Sequence, residues 1–172
     1  MALSPGLRKG VLTVHVVTSV GWLGAVVSYL ALDVTAATST DPETVRVAYS
    51  AMALLTADVI VPLAVTSVVV GIVNALGTSW GLVRHYWVIV KLLLTVFATV
   101  VLLVESRTVA QLSRSAADSP TPGELPSTLP HSVGGVAVLL TVTMLSVYKP
   151  KGLTRYGWRK QQRCDRPQAT RG

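Results

Sequence analysis

The sequence has few charged residues, few methionines and one cysteine, and each shortage excludes a class of protein. Charged residues make up 13% of the chain, against roughly 25% in a typical soluble domain. This excludes a disordered chain, which is rich in charge and poor in apolar residues, and argues against a soluble domain. The single cysteine, Cys164, excludes an intramolecular disulfide, a CxxC redox pair and a cysteine-rich zinc site. The three methionines form no Met-rich motif, which argues against a thioether copper pathway.

Motifs of known enzyme classes are also missing. The sequence contains no GxSxG, Walker, HExxH or dinucleotide-binding pattern. We therefore assign no catalytic residue and expect no metal-ligand cluster.

Four apolar segments dominate the sequence, at about residues 11–32, 47–76, 86–104 and 131–148. A helix needs ~20 residues to cross a membrane, whereas strands of a membrane barrel have ~9–11 residues with strict alternation. The pattern predicts an all-α bundle of four transmembrane helices over residues 1–148, with a basic tail over residues 149–172. Pro62 predicts a tilt or kink in the second helix.

The net charge of +7 resides in the tail, which carries eight Lys and Arg and one acid. Because Lys and Arg collect on the cytoplasmic side of membrane proteins, we expect both termini to be inside. The tail then lies beside anionic inner-leaflet lipids, which it can bind, or it acts only as a topology anchor. Nucleic-acid binding is not expected, because residues 1–148 carry no net charge.

The same orientation sorts the remaining polar residues. It predicts that Asp33, Glu105 and His131 lie toward the outer side and that His85 lies at the inner boundary. Residues 115–130 are rich in Pro, Ser and Thr and predict a mobile outer loop.

Three ionisable residues fall inside the apolar segments: His15, Asp58 and Lys91. Each costs ~2.5–3.5 kcal/mol to insert, so each needs an explanation. His15 is either a hydrogen-bonded packing residue or a ligand of haem or a metal. Lys91 either reaches the headgroups or faces the bundle. Asp58 pairs with Lys91, bonds to a neighbouring helix as a protonated acid, or relays protons.

Helical spacing groups these residues with others. On the first helix, a polar and aromatic stripe with spacings of three and four should face the bundle: His15, Thr18, Trp22, Ala25 and Tyr29. On the third helix, Lys91 shares a face with Arg84, Trp87, Thr95, Ala98, Leu102 and Glu105. Asn74 lies on a small-polar stripe with Ser67 and Gly71, and it faces a different neighbour from Asp58. Small residues should also permit close helix packing at Gly21, Gly24 and Ser28 and at Gly134 and Gly135.

Three strings resemble an uncharacterised family of bacterial four-helix integral membrane proteins that is common in actinobacteria. They are HVVTSVGWLGAVVSYLALDV from His15, WGLVRHYWVIVKLLLTV from Trp80 and VYKPKGLTRYGW from Val147. The resemblance implies a location in the bacterial cytoplasmic membrane. It implies no activity.

The chain is also remotely similar to HemJ-like protoporphyrinogen oxidases and to the membrane domain of CopD-like copper-resistance proteins. The similarity rests on His15, Trp22 and Gly24, and on Trp87 followed by Lys91. It implies haem b as a cofactor, with His15 as axial ligand and Lys91 as second ligand or charge partner. The chain departs from HemJ-like proteins because it lacks a histidine late in the third helix.

Three functions therefore remain open. The first is a haem-binding redox protein of the HemJ-like type. The second is a non-catalytic membrane subunit whose buried polar residues specify packing, as a monomer or a homo-oligomer. The third is a small copper or proton transporter of the CopD-like type that uses Asp58, Lys91 and His15 as a polar path.

Overall fold

The computed structural model describes residues 4–77 and 86–148, and these residues are almost entirely helical. Four of their helices are long and apolar enough to cross a membrane, as predicted. The helices are α1 (Pro5–Thr38), α2 (Pro42–Leu54), α3 (Val61–Leu76), α4 (Tyr86–Asp118) and α5 (Leu129–Tyr148). Helices α2 and α3 form one continuous helix through a π-helical segment, Leu55–Ile60. The predicted tail and the predicted boundary residue His85 lie outside the described residues.

The N-termini of α1 and α2 carry the sequence signals that start helices. Ser4 precedes α1 and its hydroxyl accepts the Leu7 N–H, while Pro5 occupies the first turn, where its missing N–H costs no hydrogen bond. Asp41 precedes α2 in the same way, and its carboxylate accepts the Thr44 N–H at 3.0 Å. The connection between α1 and α2 is therefore a tight turn of three residues, 39–41.

The helices form a ring of four antiparallel neighbours. Helix α1 packs on the α2–α3 helix on one side and on α5 on the other, and α4 packs between the same two neighbours. One end of the bundle holds the C-termini of α1 and α4 and the start of α5, and we call it the Asp33 end. The opposite end holds the start of α1 and the C-terminus of α3, and we call it the His15 end. Which end faces the cytoplasm stays a prediction from the distribution of Lys and Arg.

The π-helical segment is explained by Pro62 and by the spacing of buried residues. Pro62 has no N–H to donate to the Asp58 carbonyl, and the Val61 N–H instead reaches back five residues to the Thr56 carbonyl. The buried residues Met52, Thr56, Ile60 and Ala64 recur every four residues. A regular α-helix with 3.6 residues per turn would rotate this series off one face, and the wider π turn keeps it against the core.

Helix α4 extends well beyond its apolar segment, which ends near residue 104. Its continuation to Asp118 is held against the start of α2 by Val109, Leu112 and Ala116, which are buried. The prediction of a mobile loop over residues 115–130 is therefore wrong in part, because its first residues are helical and Pro122–Glu124 forms a 3-10 turn. Arg46 on α2 fixes this connection, since its Nη2 donates to the Ser119 carbonyl at 2.9 Å.

Candidate functional site

The polar and aromatic stripe predicted on α1 does face the bundle. Thr18, Trp22, Ala25 and Tyr29 are all buried, and Trp22 has only 3% of its surface exposed. Of the small residues predicted at helix contacts, Gly21 approaches α3, where a Cβ would lie 3.4 Å from a Leu63 methyl. The remaining small residues of α1, Gly24 and Ser28, are exposed and do not take part.

A buried network joins α1 to α5 at the Asp33 end. Asp33 has 1% of its surface exposed and accepts two hydrogen bonds, from the Thr128 hydroxyl at 2.8 Å and the Ser132 hydroxyl at 2.7 Å. The Tyr29 hydroxyl lies 3.3 Å from the Thr128 oxygen. Because Thr128 already donates its one hydroxyl hydrogen to Asp33, Tyr29 is the donor in this contact. The result is a chain of hydrogen bonds from Tyr29 through Thr128 to Asp33.

Glu105 and His131 form an ion pair close to this network. The His131 Nε2 lies 3.5 Å from a Glu105 carboxylate oxygen, which brings α4 and α5 together. Glu105 is three-quarters buried on its side-chain surface, and His131 is about half exposed. The pair is charged on both partners only when the His131 ring is protonated.

These groups lie at the rim of a cavity of about 420 Å³ between α1, α4 and α5. Its walls are mainly apolar and include Trp22 and Phe97, with Thr56 and Ile60 from the π-helical segment. Its polar side chains are Thr56 in the wall and, toward the Asp33 end, Tyr29, Glu105, Ser106, Thr128, His131 and Ser132. Gly134 also lines the cavity, and a Cβ at this position would meet no atom within 4 Å. The cavity is thus an apolar space whose polar groups are concentrated toward the Asp33 end.

His15 lies at the opposite end, tightly packed between α1 and α3. Its Nδ1 is 3.1 Å from the Ser67 carbonyl oxygen, and a carbonyl can only accept, so Nδ1 carries the hydrogen. The ring also lies against Gly71, where a Cβ would be 2.8 Å from Cε1. The Ser19 and Ser67 hydroxyls are 2.8 Å apart beside it. The small residues of the predicted α3 stripe therefore make room for the imidazole.

Lys91 is half-buried on α4. Neither His15 nor Lys91, the two residues predicted as haem ligands, lines the cavity at the Asp33 end. Asn74 is half-buried near the end of α3. Arg84, predicted on the same face as Lys91, lies outside the described residues.

Asp58 is in neither cluster. It is exposed on the outside of the α2–α3 helix. Within residues 4–77 and 86–148, the ion pairs are Glu43 with Arg46 and Glu105 with His131. The interpretation of Asp58 as the ion-pair partner of Lys91 is therefore wrong for this structure. Asp58, Lys91 and His15 do not form one continuous polar path.

The cavity was not predicted from the sequence, although Tyr29, one of the groups at its rim, was predicted to face the bundle. Asp33 and His131 were assigned only to a side of the membrane. Glu105 was assigned to that side and to the helix face of Lys91, and Thr128 and Ser132 were not selected. One signal was available, since all five residues lie at or just outside the predicted helix ends on the same side of the membrane. Among the described residues, no three His, Cys, Asp or Glu side chains converge as a metal site would require.

The fold and the cavity together define a helical bundle of the membrane-spanning type with a polar-rimmed apolar pocket. Comparison of the chain with known protein families, with curated proteins and with solved structures finds no match. Its function must therefore be argued from the pocket and the polar clusters themselves.

Proposed function

We propose that the protein is a bacterial cytoplasmic membrane protein, with both termini inside, that binds a small lipophilic molecule in the cavity at the Asp33 end. The observation that carries the proposal is the combination of apolar walls with a few polar groups at one rim. Cavities that bind small molecules have roughly 300–1,000 Å³ and this same division of lining. The ligand should therefore have an apolar body and a small polar group.

The polar rim can orient such a ligand. Glu105 can accept a hydrogen bond from a hydroxyl or an amine, and the His131 ring can donate or accept. The Asp33 network behind them commits Thr128 and Ser132 to fixed partners, so these two side chains hold the helices in place. Polar groups on helices that a rigid network of hydrogen bonds holds in place can orient a ligand without a large entropic cost on binding.

The walls can be tested by filling the cavity. Gly134→Leu places a side chain into open space at the cavity, and Gly24→Leu is the matched control, because Gly24 is exposed and equally free of neighbours. The probe is a ten-carbon alcohol with a brominated tail, which quenches Trp22 inside the cavity. Trp22 becomes the only tryptophan when Trp80, Trp87 and Trp158 are replaced by Phe.

Saturable quenching is expected in the parent protein and in Gly24→Leu, and its loss is expected in Gly134→Leu. Quenching that rises linearly with probe and is equal in all three proteins would overturn the proposal, because it would report probe dissolved around the protein.

The role of the rim in binding can be tested with the same measurement, the quenching of Trp22 fluorescence by a brominated probe. Glu105→Gln and His131→Gln should each weaken binding of the alcohol probe several-fold, since each removes or alters one hydrogen-bonding group at the rim. Binding of a brominated decane without a hydroxyl should change little. Equal losses of affinity for both probes would show that the substitutions distort the cavity. They would also show that the rim does not bind the hydroxyl group of the alcohol probe.

A second candidate is a haem-binding redox protein of the HemJ-like type. The observation that supports it is the hydrogen bond from His15 Nδ1 to the Ser67 carbonyl. This bond leaves the Nε2 lone pair of the neutral ring available, which is the arrangement found in many metal-ligating histidines. His15 would hold the iron, and Lys91 would be the second ligand or a charge partner. Haem would supply one-electron chemistry.

The absorption spectrum of the detergent-purified protein, oxidised and reduced, separates the two candidates. A Soret band that shifts on reduction and disappears in His15→Ala would establish haem. A featureless visible spectrum from haem-replete cells would exclude it. If the cavity tests also fail, the remaining hypothesis is the non-catalytic subunit.

A further inference from the structure

Asp58 occupies a position that the fold of one chain does not explain. It lies near the middle of the helix Pro42–Leu76 and points away from the bundle. Among the described residues, no hydrogen bond or ion pair reaches its carboxyl. An acidic side chain within a bilayer costs ~2.5–3.5 kcal/mol, and such residues almost always face protein or water. A surface that leaves Asp58 against lipid is therefore an incomplete surface.

The residues around Asp58 form a stripe suited to helix packing. Exposed positions follow helical spacing along this side of the α2–α3 helix: Leu54, Asp58, Pro62, Val65 and Val69. The stripe has one polar group among apolar ones. In membranes, a single polar residue within an apolar face is a common contact between helices, because its hydrogen bond has no competition from water. We call these five residues the Asp58 stripe.

Charge complementarity identifies what covers the stripe. Lys91 is the only Lys or Arg within the four apolar segments. It is half-buried on α4 of its own chain, and a second copy would hold its Lys91 in the same way. A symmetric pair of copies would instead bring two Asp58 carboxyls together, and like charges at one site disfavour each other. The missing counter-charge must therefore come from a different chain.

We infer that the Asp58 stripe docks a transmembrane helix of a partner protein that carries a Lys or Arg at the depth of Asp58. The surrounding Leu and Val side chains supply apolar contact, and the carboxyl supplies the specific interaction. This docking surface lies on the outside of the bundle and does not depend on the cavity or on its ligand.

The test uses the full chain in phospholipid vesicles with a synthetic helix as the probe. The probe is a 22-residue helix of Leu and Ala with one central Lys and an acceptor dye, and the matched probe has Leu at the centre. Energy transfer from a donor dye on the protein measures association. The Lys helix should bind about tenfold more tightly than the Leu helix. Asp58→Leu should remove the preference.

A charge exchange separates docking from an effect on folding. Asp58→Lys should bind a helix with a central Asp in preference to the Lys helix, which reverses the selectivity of the native chain. Asp58→Leu and Asp58→Lys should both fold, since Asp58 is exposed and forms no hydrogen bond or ion pair within residues 4–77 and 86–148. Circular dichroism checks this.

Two results would overturn the inference. The first is equal binding of the Lys and Leu helices by the native chain. The second is energy transfer between two labelled copies of the native protein that Asp58→Leu abolishes, because a second copy would then be the occupant.

Discussion

The carboxyl group of Asp33 and the hydroxyl group of Ser132 lie 2.7 Å apart, although 99 residues of chain separate them. Together with the bond from Thr128, this contact joins the end of α1 to the start of α5. Helix α5 is the shortest of the four spanning helices, and it packs on α1 and α4. The position of α5, and with it the wall of the cavity, therefore depends strongly on one buried side chain.

Asp33→Ala should destabilise the bundle by about 3 kcal/mol. The substitution removes two hydrogen bonds to a buried acceptor and leaves the Thr128 and Ser132 hydroxyls without that partner, at roughly 1–3 kcal/mol each. The measurement is the free energy of unfolding in mixed micelles with increasing SDS. Asp118→Ala is the control, because Asp118 is exposed at the end of α4. Equal stability of the two variants would contradict the network.

Gly71→Ala should destabilise the contact between α1 and α3 by about 1–3 kcal/mol, because the new methyl group would overlap the His15 ring at 2.8 Å. Elsewhere in a helix the same change is favourable by about 1 kcal/mol, and the exposed Gly24 provides that control. Adding His15→Ala should recover most of the loss in a double-mutant cycle of SDS unfolding. Independent, additive effects would show that the two residues do not touch.

Deleting Ala57 should be tolerated, whereas deleting Val69 should not. Ala57 is exposed within the π-helical segment, so its removal lets the chain close into a regular α-helix. The buried residues before and after the segment then still lie on the same side of the helix. Removing Val69 rotates the rest of α3 by about 100° and carries Gly71 away from His15. Thermal unfolding, monitored by circular dichroism, compares the stability of the two deletion variants. A similar loss of thermal stability in both deletion variants would show that the π-helical segment contains no inserted residue relative to a regular α-helix.

Acid should weaken the start of α2. Hydrogen bonds from the Thr44 hydroxyl and amide hold the pKa of Asp41 below its ordinary value. A lowered pKa means that the cap stabilises the helix fully above the unfolded pKa, about 3.9, and loses this contribution as pH falls through the lower folded pKa.

Hydrogen exchange of the Thr44 and Val45 amides measures this effect. Asp41→Ser keeps an acceptor at the cap that does not titrate. The ratio of exchange rates between native protein and this variant cancels the intrinsic dependence of exchange on pH. The ratio should rise as pH falls below 4, and a ratio that stays constant would contradict a titrating cap.

The four spanning helices could be predicted because each is marked by a long apolar run, a property of single segments. The C-terminal end of α4 could not be predicted in the same way. Beyond residue 104 the chain carries Arg107, Gln111 and Arg114 on its exposed side. Val109, Leu112 and Ala116 do recur with helical spacing. Three apolar residues in a polar stretch, next to a Pro-rich sequence, are nevertheless a weak signal for a helix.

The candidate site was less predictable because its residues meet only in the folded bundle. Spacing along α1 correctly placed Trp22 and Tyr29 inward, but no local pattern connects Asp33 to Thr128. The pairing of Asp58 with Lys91 failed for a different reason. It was inferred from the cost of placing an acid within an apolar segment, and that cost does not determine which face of the helix the residue occupies.

The Asp33 network also has a consequence for how the chain is made. Asp33 belongs to the first spanning helix, and both of its hydrogen-bond donors belong to the fourth or to the residue just before it. During synthesis, the first helix reaches the membrane long before Thr128 and Ser132 exist. Until then its carboxyl has no donor from this network, and only a chain with all four helices in place removes that exposed acid. The network can thus form only in a chain whose fourth spanning helix has packed against the first.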